Sequence, residues 1–245
     1  MDRKIEGWHS PSLGQDMPIV SYGNWGHPLL LFPTAAADFL ENERFNLIEA
    51  VAPAIEAGRV RVFSINSINN QSWMDRNLPV PEQARRQALY ARYVEDEVVP
   101  YIRGAGQSGD IRIGTTGASF GAFHAANTLF RRPDLFDSVI AMSGFYDLES
   151  DYLHGYSDDN VFFNNPAWYL PGLGGEQLQR LQTACKILIL TGQGAYEAPD
   201  ASRYLSSILH SKGIPHFLDI WGHDVAHDWP WWRKMLPYAI DLMGW

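Results

Sequence analysis

Residues 110–132 read "DIRIGTTGASFGAFHAANTLFRR", and the glycines in this stretch decide the fold. The run "IRI" has the apolar character of a short strand, and "AFHAANTLF" has the small-and-apolar face of a helix packed closely on a sheet. Glycine weakens both kinds of element, yet Gly117 and Gly121 flank Ser119 at the junction between them. The pattern Gly117-Ala118-Ser119-Phe120-Gly121 is G-x-S-x-G. A sharp strand-to-helix turn there would hold Ser119 in a strained conformation and lift its hydroxyl above the sheet. Side chains at 117 and 121 would then collide with the neighbouring helix and strand. The N–H of Phe120, at the helix N-terminus, would point toward a developing oxyanion. A phosphate loop needs a G-K-[ST] sequence that is missing here. Glycines that merely ease helix–sheet packing would suit Ala122, Ala125 and Ala126, but those residues suit the nucleophile turn equally well.

Outward from this turn, short apolar runs alternate with helical patterns. "MPIVSYG" and "HPLLLFP" are predicted strands joined by "GNWG", followed by a helix over 42–57 and the strand "RVRVFSIN". A long helical pattern covers 82–103 and a second helix 120–131. The strands "DSVIAMSG" and "KILILTGQ" follow, then a helix over 200–212, the strand "HFLDIWG" and a last helix from about Pro230 to Leu242. This alternation predicts an α/β fold: about eight mostly parallel strands with helices on both faces, and the first hairpin antiparallel at one edge. The absence of a linker predicts one domain over 1–245. The irregular stretch 145–175 is long enough to cover a site, and no insertion is large enough for a helical lid.

Composition excludes several classes of function. The net charge of −9, with no basic track, argues against nucleic-acid binding. The single cysteine, Cys185, rules out an internal disulfide and reads as a buried, inert thiol. The longest apolar runs are strand-length, so no membrane span is expected. No secretory apolar segment opens the chain, which gives a cytoplasmic expectation. A homo-oligomer is compatible with all of this.

A serine nucleophile needs a base, and the base needs an orienting carboxylate, in the chain order Ser, Asp/Glu, His. His154, His210 and His216 fall in a loop, in a helix and at the start of a strand. His223 and His227, in "WGHDVAHDWPWW" after the final strand, stand where a base belongs. "HDVAH" is close to the zinc motif H-E-x-x-H, but Gly222 before it and Trp229-Pro230 after it break the continuous helix that zinc binding needs. No metal and no cofactor are expected. The acid should follow "KILILTGQ", where Glu197 and Asp200 are available; Asp200 can also serve as a helix N-cap. Asp147, after "DSVIAMSG", is an outside alternative. Trp73 and Trp229 are candidate walls of an acyl or sugar pocket, while Trp231 and Trp232 read as packing.

The segments "HDWPWWRKMLPYAI", with its H-x-W-x-x-W signature, and "GASFGAFHAANTLFRRPDLFDSVIAMSG" resemble the putative-esterase family, the esterase D and antigen 85-like α/β-hydrolases. The similarity runs from about Pro28 to the C-terminus, and H-x-W-x-x-W is its more specific part. The resemblance implies His227 as base, with His223 in a structural role. It implies Glu197, after the Gly192-Gln193-Gly194 turn, as acid. Beside Phe120, it points to Ala35, with Ala36 as neighbour, as the second oxyanion donor. Family members act on small acyl esters, thioesters, feruloyl sugars and trehalose mycolates. The expected activity is therefore a serine carboxylic-ester hydrolase acting on a small-molecule ester through an acyl-enzyme. The alternatives are an acyltransferase with the same triad and a non-catalytic binding module on the same fold.

Overall fold

The structure is a computed structural model and describes residues 1–106 and 109–245. In chain order its strands are β1 (Arg3–Ser10), β2 (Gln15–Tyr22), β3 (His27–Phe32), β4 (Val60–Ile65), β5 (Ile113–Ala118), β6 (Phe136–Met142), β7 (Lys186–Thr191) and β8 (Phe217–Ile220). The helices are α1 (Glu41–Arg44), α2 (Leu47–Glu56), α3 (Val80–Tyr93), α4 (Val99–Ala105), α5 (Phe120–Arg131), α6 (Asp159–Phe162), α7 (Pro166–Tyr169), α8 (Gly175–Thr183), α9 (Pro199–Ser211) and α10 (Trp229–Met243). The described residues build one eight-stranded sheet in the order β1-β2-β4-β3-β5-β6-β7-β8. From β4 onward every pairing is parallel.

The strands alternate in period two between two cores. Leu30, Phe32, Phe63 and Ile65 face the helices of one side, where Tyr90, Tyr93, Ala122, Ala125, Ala126, Leu205 and Leu209 pack. Leu29, Leu31, Val60 and Val62 face the other side, against Val51 and Ile55 of α2 and Met235, Leu236 and Ile240 of α10. A sheet covered on both faces explains why the central strands are apolar throughout.

Three expectations are corrected. The antiparallel edge hairpin is β1–β2, and the predicted β2–β3 hairpin does not form, because β4 inserts between those strands. β1 is an edge strand with mostly exposed residues, so it lacks an apolar signal. The helix expected over 82–103 begins at Val80 and runs on to Ala105, but it is interrupted by a π-turn at Val94–Val98. The irregular stretch 145–175 contains α6 and α7, and α8 follows directly. By contrast, α5 spans the residues that its sequence predicted. Cys185 is half-buried, and burial pushes its thiol up to about 11, which keeps it protonated and unreactive.

Candidate active site

Because β5 to β8 run parallel, the loops that follow them emerge at one end of the sheet. Ser119 follows β5 with φ 57° and ψ −122°, and φ there is positive, a region rarely occupied by a non-glycine residue. Its N–H bonds the Met142 carbonyl at 2.9 Å, and its own carbonyl starts α5 by accepting from the Ala122 N–H at 3.0 Å. The two glycines are explained by space. A Cβ on Gly117 would lie 2.5 Å from the Gly121 backbone, and a Cβ on Gly121 would lie 2.7 Å from both the Phe32 and Pro33 carbonyl oxygens. Phe120 opens the helix, where the first N–H groups have no intrahelical acceptor.

The turn after β7 and the loop after β8 are zipped together. The Gly194 N–H donates to the Val225 carbonyl at 2.8 Å, and the His227 N–H donates to the Ala195 carbonyl at 2.9 Å. Gly192 and Gly194 are required because a Cβ on either would strike Val225, at 2.1 Å and 2.7 Å. Tyr196, with φ 63°, bends the chain so that Glu197 turns inward while its own ring stays exposed. Glu197 Oε2 then stands 3.7 Å from His227 Nδ1, with the carboxylate side chain fully buried and the histidine 24% exposed. That distance exceeds a hydrogen bond, and His227 Nδ1 has no other partner among the described residues. Hydrogen bonds of this kind often tighten only once substrate is bound.

Further residues hold the carboxylate. The Ser143 hydroxyl donates to Glu197 Oε1 at 2.6 Å, and the Thr191 hydroxyl donates to Oε2 at 3.0 Å. The Trp232 indole N–H donates to Ser143 Oγ at 3.0 Å, and its ring meets His227 edge-on at 5.1 Å. Burial alone would raise the Glu197 carboxyl. The neighbouring His227 ring and the two hydroxyls outweigh it and hold the group below the ordinary carboxylate range. Ser143, like Ser119 and Tyr196, has positive φ; these are three of the five non-glycine residues with positive φ among the described residues. Backbone strain therefore concentrates at this end of the sheet.

The structure places the other predicted site residues in varied surroundings. Asp200 sits in the first turn of α9, paired with Arg203 at 2.8 Å and almost fully exposed; the N-cap is Ala198, so the capping reading is corrected. His223 is exposed in the loop before Val225. Asp147 accepts from the Asn165 amide and the Glu149 N–H, a structural use within its loop. Trp73 has no exposed surface: it is packed among Phe120, Phe123, Leu148 and Val161, and its indole N–H has no partner among the described residues. Trp229 is half-buried, stacked on Phe45 at 4.6 Å and edge-on to Trp232. Ala35 is exposed on the loop after β3. Sequence reasoning missed Ser143 and Thr191, which carry no motif, and it assigned Trp232 mainly to packing. The second tryptophan of H-x-W-x-x-W was the available signal. No group of three metal-ligating side chains occurs among the described residues, and no helix there is long and apolar enough to cross a membrane.

Comparison with known proteins identifies the family and the fold. The family described as "Putative esterase" matches residues 36–241. Among solved structures, a ferulic acid esterase is 17% identical with a TM-score of 0.76, over 98% of this chain and 96% of that one. An S-formylglutathione hydrolase from Staphylococcus aureus is 16% identical with a TM-score of 0.74, over 99% and 98%. MPT51 of Mycobacterium tuberculosis is 16% identical with a TM-score of 0.66, over 98% of each chain. At these identities the likeness shows the fold, and a comparison with curated protein sequences finds no match. With the family matched over most of its length, the chain belongs to the Putative esterase family and is a serine esterase on the α/β-hydrolase fold.

Proposed function

We propose that the protein hydrolyses small or sugar-linked carboxylic esters through a Ser119–His227–Glu197 triad. The observation that carries this reading is the buried Glu197 carboxylate beside His227 Nδ1, at the same sheet end as the strained Ser119. Ser119 Oγ attacks the ester carbonyl while His227 Nε2 takes its proton. Glu197 keeps the other ring proton on Nδ1 and stabilises the imidazolium. The Phe120 N–H, with the loop at Ala35, stabilises the oxyanion. The histidine returns the proton to the leaving alkoxide, and water releases the acyl group by the same route in reverse. The chemistry needs no metal and no cofactor. The likeness in fold to a ferulic acid esterase and a thioester hydrolase supports an acyl donor of modest size.

The test is turnover of p-nitrophenyl acetate by two histidine variants. His227→Ala is expected to lose several orders of magnitude in kcat, and His223→Ala to retain most of the wild-type rate. The reverse result would move the base to His223 and overturn the assignment.

A further inference from the structure

His124 is a buried histidine that the triad does not use. It lies on α5, five residues beyond Ser119, and is 2% exposed. Its ring stacks on Phe120 at 5.2 Å and meets Phe32 and Tyr90. Its Nε2 lies 2.8 Å from Asn69 Oδ1. Asn69, fully buried after β4, donates from Nδ2 to the Ala35 carbonyl, which also accepts from the Ser67 hydroxyl at 3.2 Å. The direction of this chain fixes the tautomer. Because the Asn69 amide nitrogen donates to Ala35, its oxygen must accept, so His124 Nε2 carries the hydrogen. Burial without a neighbouring charge pushes the His124 imidazole down to about 3, so this donor stays neutral at working pH.

The loop that this chain anchors starts against the nucleophile turn. Phe32 pairs with Gly117, and the Phe32 and Pro33 carbonyls press on Gly121. The Thr34 N–H and hydroxyl are both held by the Glu41 carboxylate, each at 2.8 Å. The peptide between Ala35 and Ala36 is planar and trans, so a carbonyl drawn inward to Asn69 turns the Ala36 N–H outward. Ala35 and Ala36 are both exposed.

We propose that His124 and Asn69 form a positioning pair that holds the Ala35–Ala36 peptide as the second oxyanion donor, with the Ala36 N–H facing the substrate. The pair touches no reacting atom. It acts by fixing a peptide whose N–H must be aimed before the oxyanion forms, and it ties that peptide to the helix that begins directly after Ser119. A donor fixed beforehand acts on the transition state and not on the bound ester. This proposal rests on the serine-hydrolase reading.

The experiment measures turnover per active serine, with sites counted by saturating fluorophosphonate, alongside affinity for a phenylboronic acid. Failure of the wild-type protein to label at Ser119 would sink the serine-hydrolase reading; the variants test the positioning pair separately. Asn69→Leu is expected to lower kcat per labelled serine by about 10- to 100-fold, less than the full loss of an oxyanion donor. KM should stay within about twofold, and boronate affinity should fall in step with kcat/KM. His124→Leu should show the same pattern at smaller amplitude. His124→Gln, whose amide can still donate to Asn69, should restore at least half of what His124→Leu loses. A kcat per labelled serine within about twofold of wild type in Asn69→Leu would overturn the proposal. If Asn69→Leu does not fold, equal kcat in His124→Leu and His124→Gln would overturn it as well.

Discussion

Replacing Ser143 by alanine removes one hydroxyl and strands two buried groups. Glu197 Oε1 loses its donor at 2.6 Å, and the Trp232 indole N–H loses its acceptor at 3.0 Å. A hydrogen bond to a charged group contributes about 1.5–3 kcal/mol, and an unsatisfied buried donor costs about 1–3 kcal/mol. The two terms overlap where the site relaxes, so we expect Ser143→Ala to destabilise the fold by about 3 kcal/mol at neutral pH. The sign of the pH dependence follows from Glu197. Its carboxyl is held below the ordinary range in the folded state, so its contribution is complete above the ordinary carboxylate pKa and is lost as pH falls through the lowered folded value. Ser143→Ala raises that folded value and shrinks the contribution. The difference from wild type should therefore be largest at neutral pH and narrow as the solution is acidified through the carboxylate range. Urea unfolding at a series of pH values reads both quantities, and ester turnover should fall at least about tenfold as the acid loses its orientation. Thr191→Val, which removes only one donor to Glu197 and strands no indole, should cost about half as much. A Ser143→Ala variant within about 0.5 kcal/mol of wild type, or with a difference that does not change with pH, would refute the relay from Trp232 through Ser143 to Glu197.

Gly121→Ala should cost about 1–3 kcal/mol and abolish most ester turnover, because its Cβ would lie 2.7 Å from two backbone oxygens at the end of β3; circular dichroism melts and p-nitrophenyl acetate turnover check it. The neighbours of His124, namely Asn69, Phe32, Tyr90, Phe120 and Phe123, are uncharged, so the imidazole resists protonation to about pH 3 in the fold but takes a proton near 6.5 when unfolded. Wild type should accordingly lose about 2–3 kcal/mol more than His124→Gln between about pH 6 and about pH 4, measured by denaturant titration. Glu197→Gln should lose most turnover while Asp200→Asn keeps it, and the opposite ranking in a steady-state assay would move the acid to Asp200.

What the sequence revealed follows the range of the interactions involved. The turn at Ser119 was legible because its strain, its glycines and its helix are made by contiguous residues, and α5 spans the residues it was expected to span. The parallel sheet was legible from continuous apolar strands. Strand order was not, because the insertion of β4 between β2 and β3 is decided by pairing between distant segments. β1 escaped notice because an exposed edge strand has little apolar alternation to display. His227 and Glu197 were singled out by resemblance, and the structure supplies a physical reason for the second tryptophan of the signature: Trp232 reaches Ser143. Ser143, Thr191 and Asn69 are ordinary polar residues until separate loops and strand ends lie side by side. Trp73 could be recognised as an aromatic in a loop, but not as a fully buried one.

The central claim is that Ser119 is the nucleophile of an ester hydrolase, and it is tested most directly by labelling the intact protein with a fluorophosphonate and mapping the adduct by peptide mass spectrometry. The account predicts a single adduct on Ser119, formed in parallel with loss of ester turnover and absent from Ser119→Ala. An adduct on any other residue, or a folded protein that does not label, would contradict it.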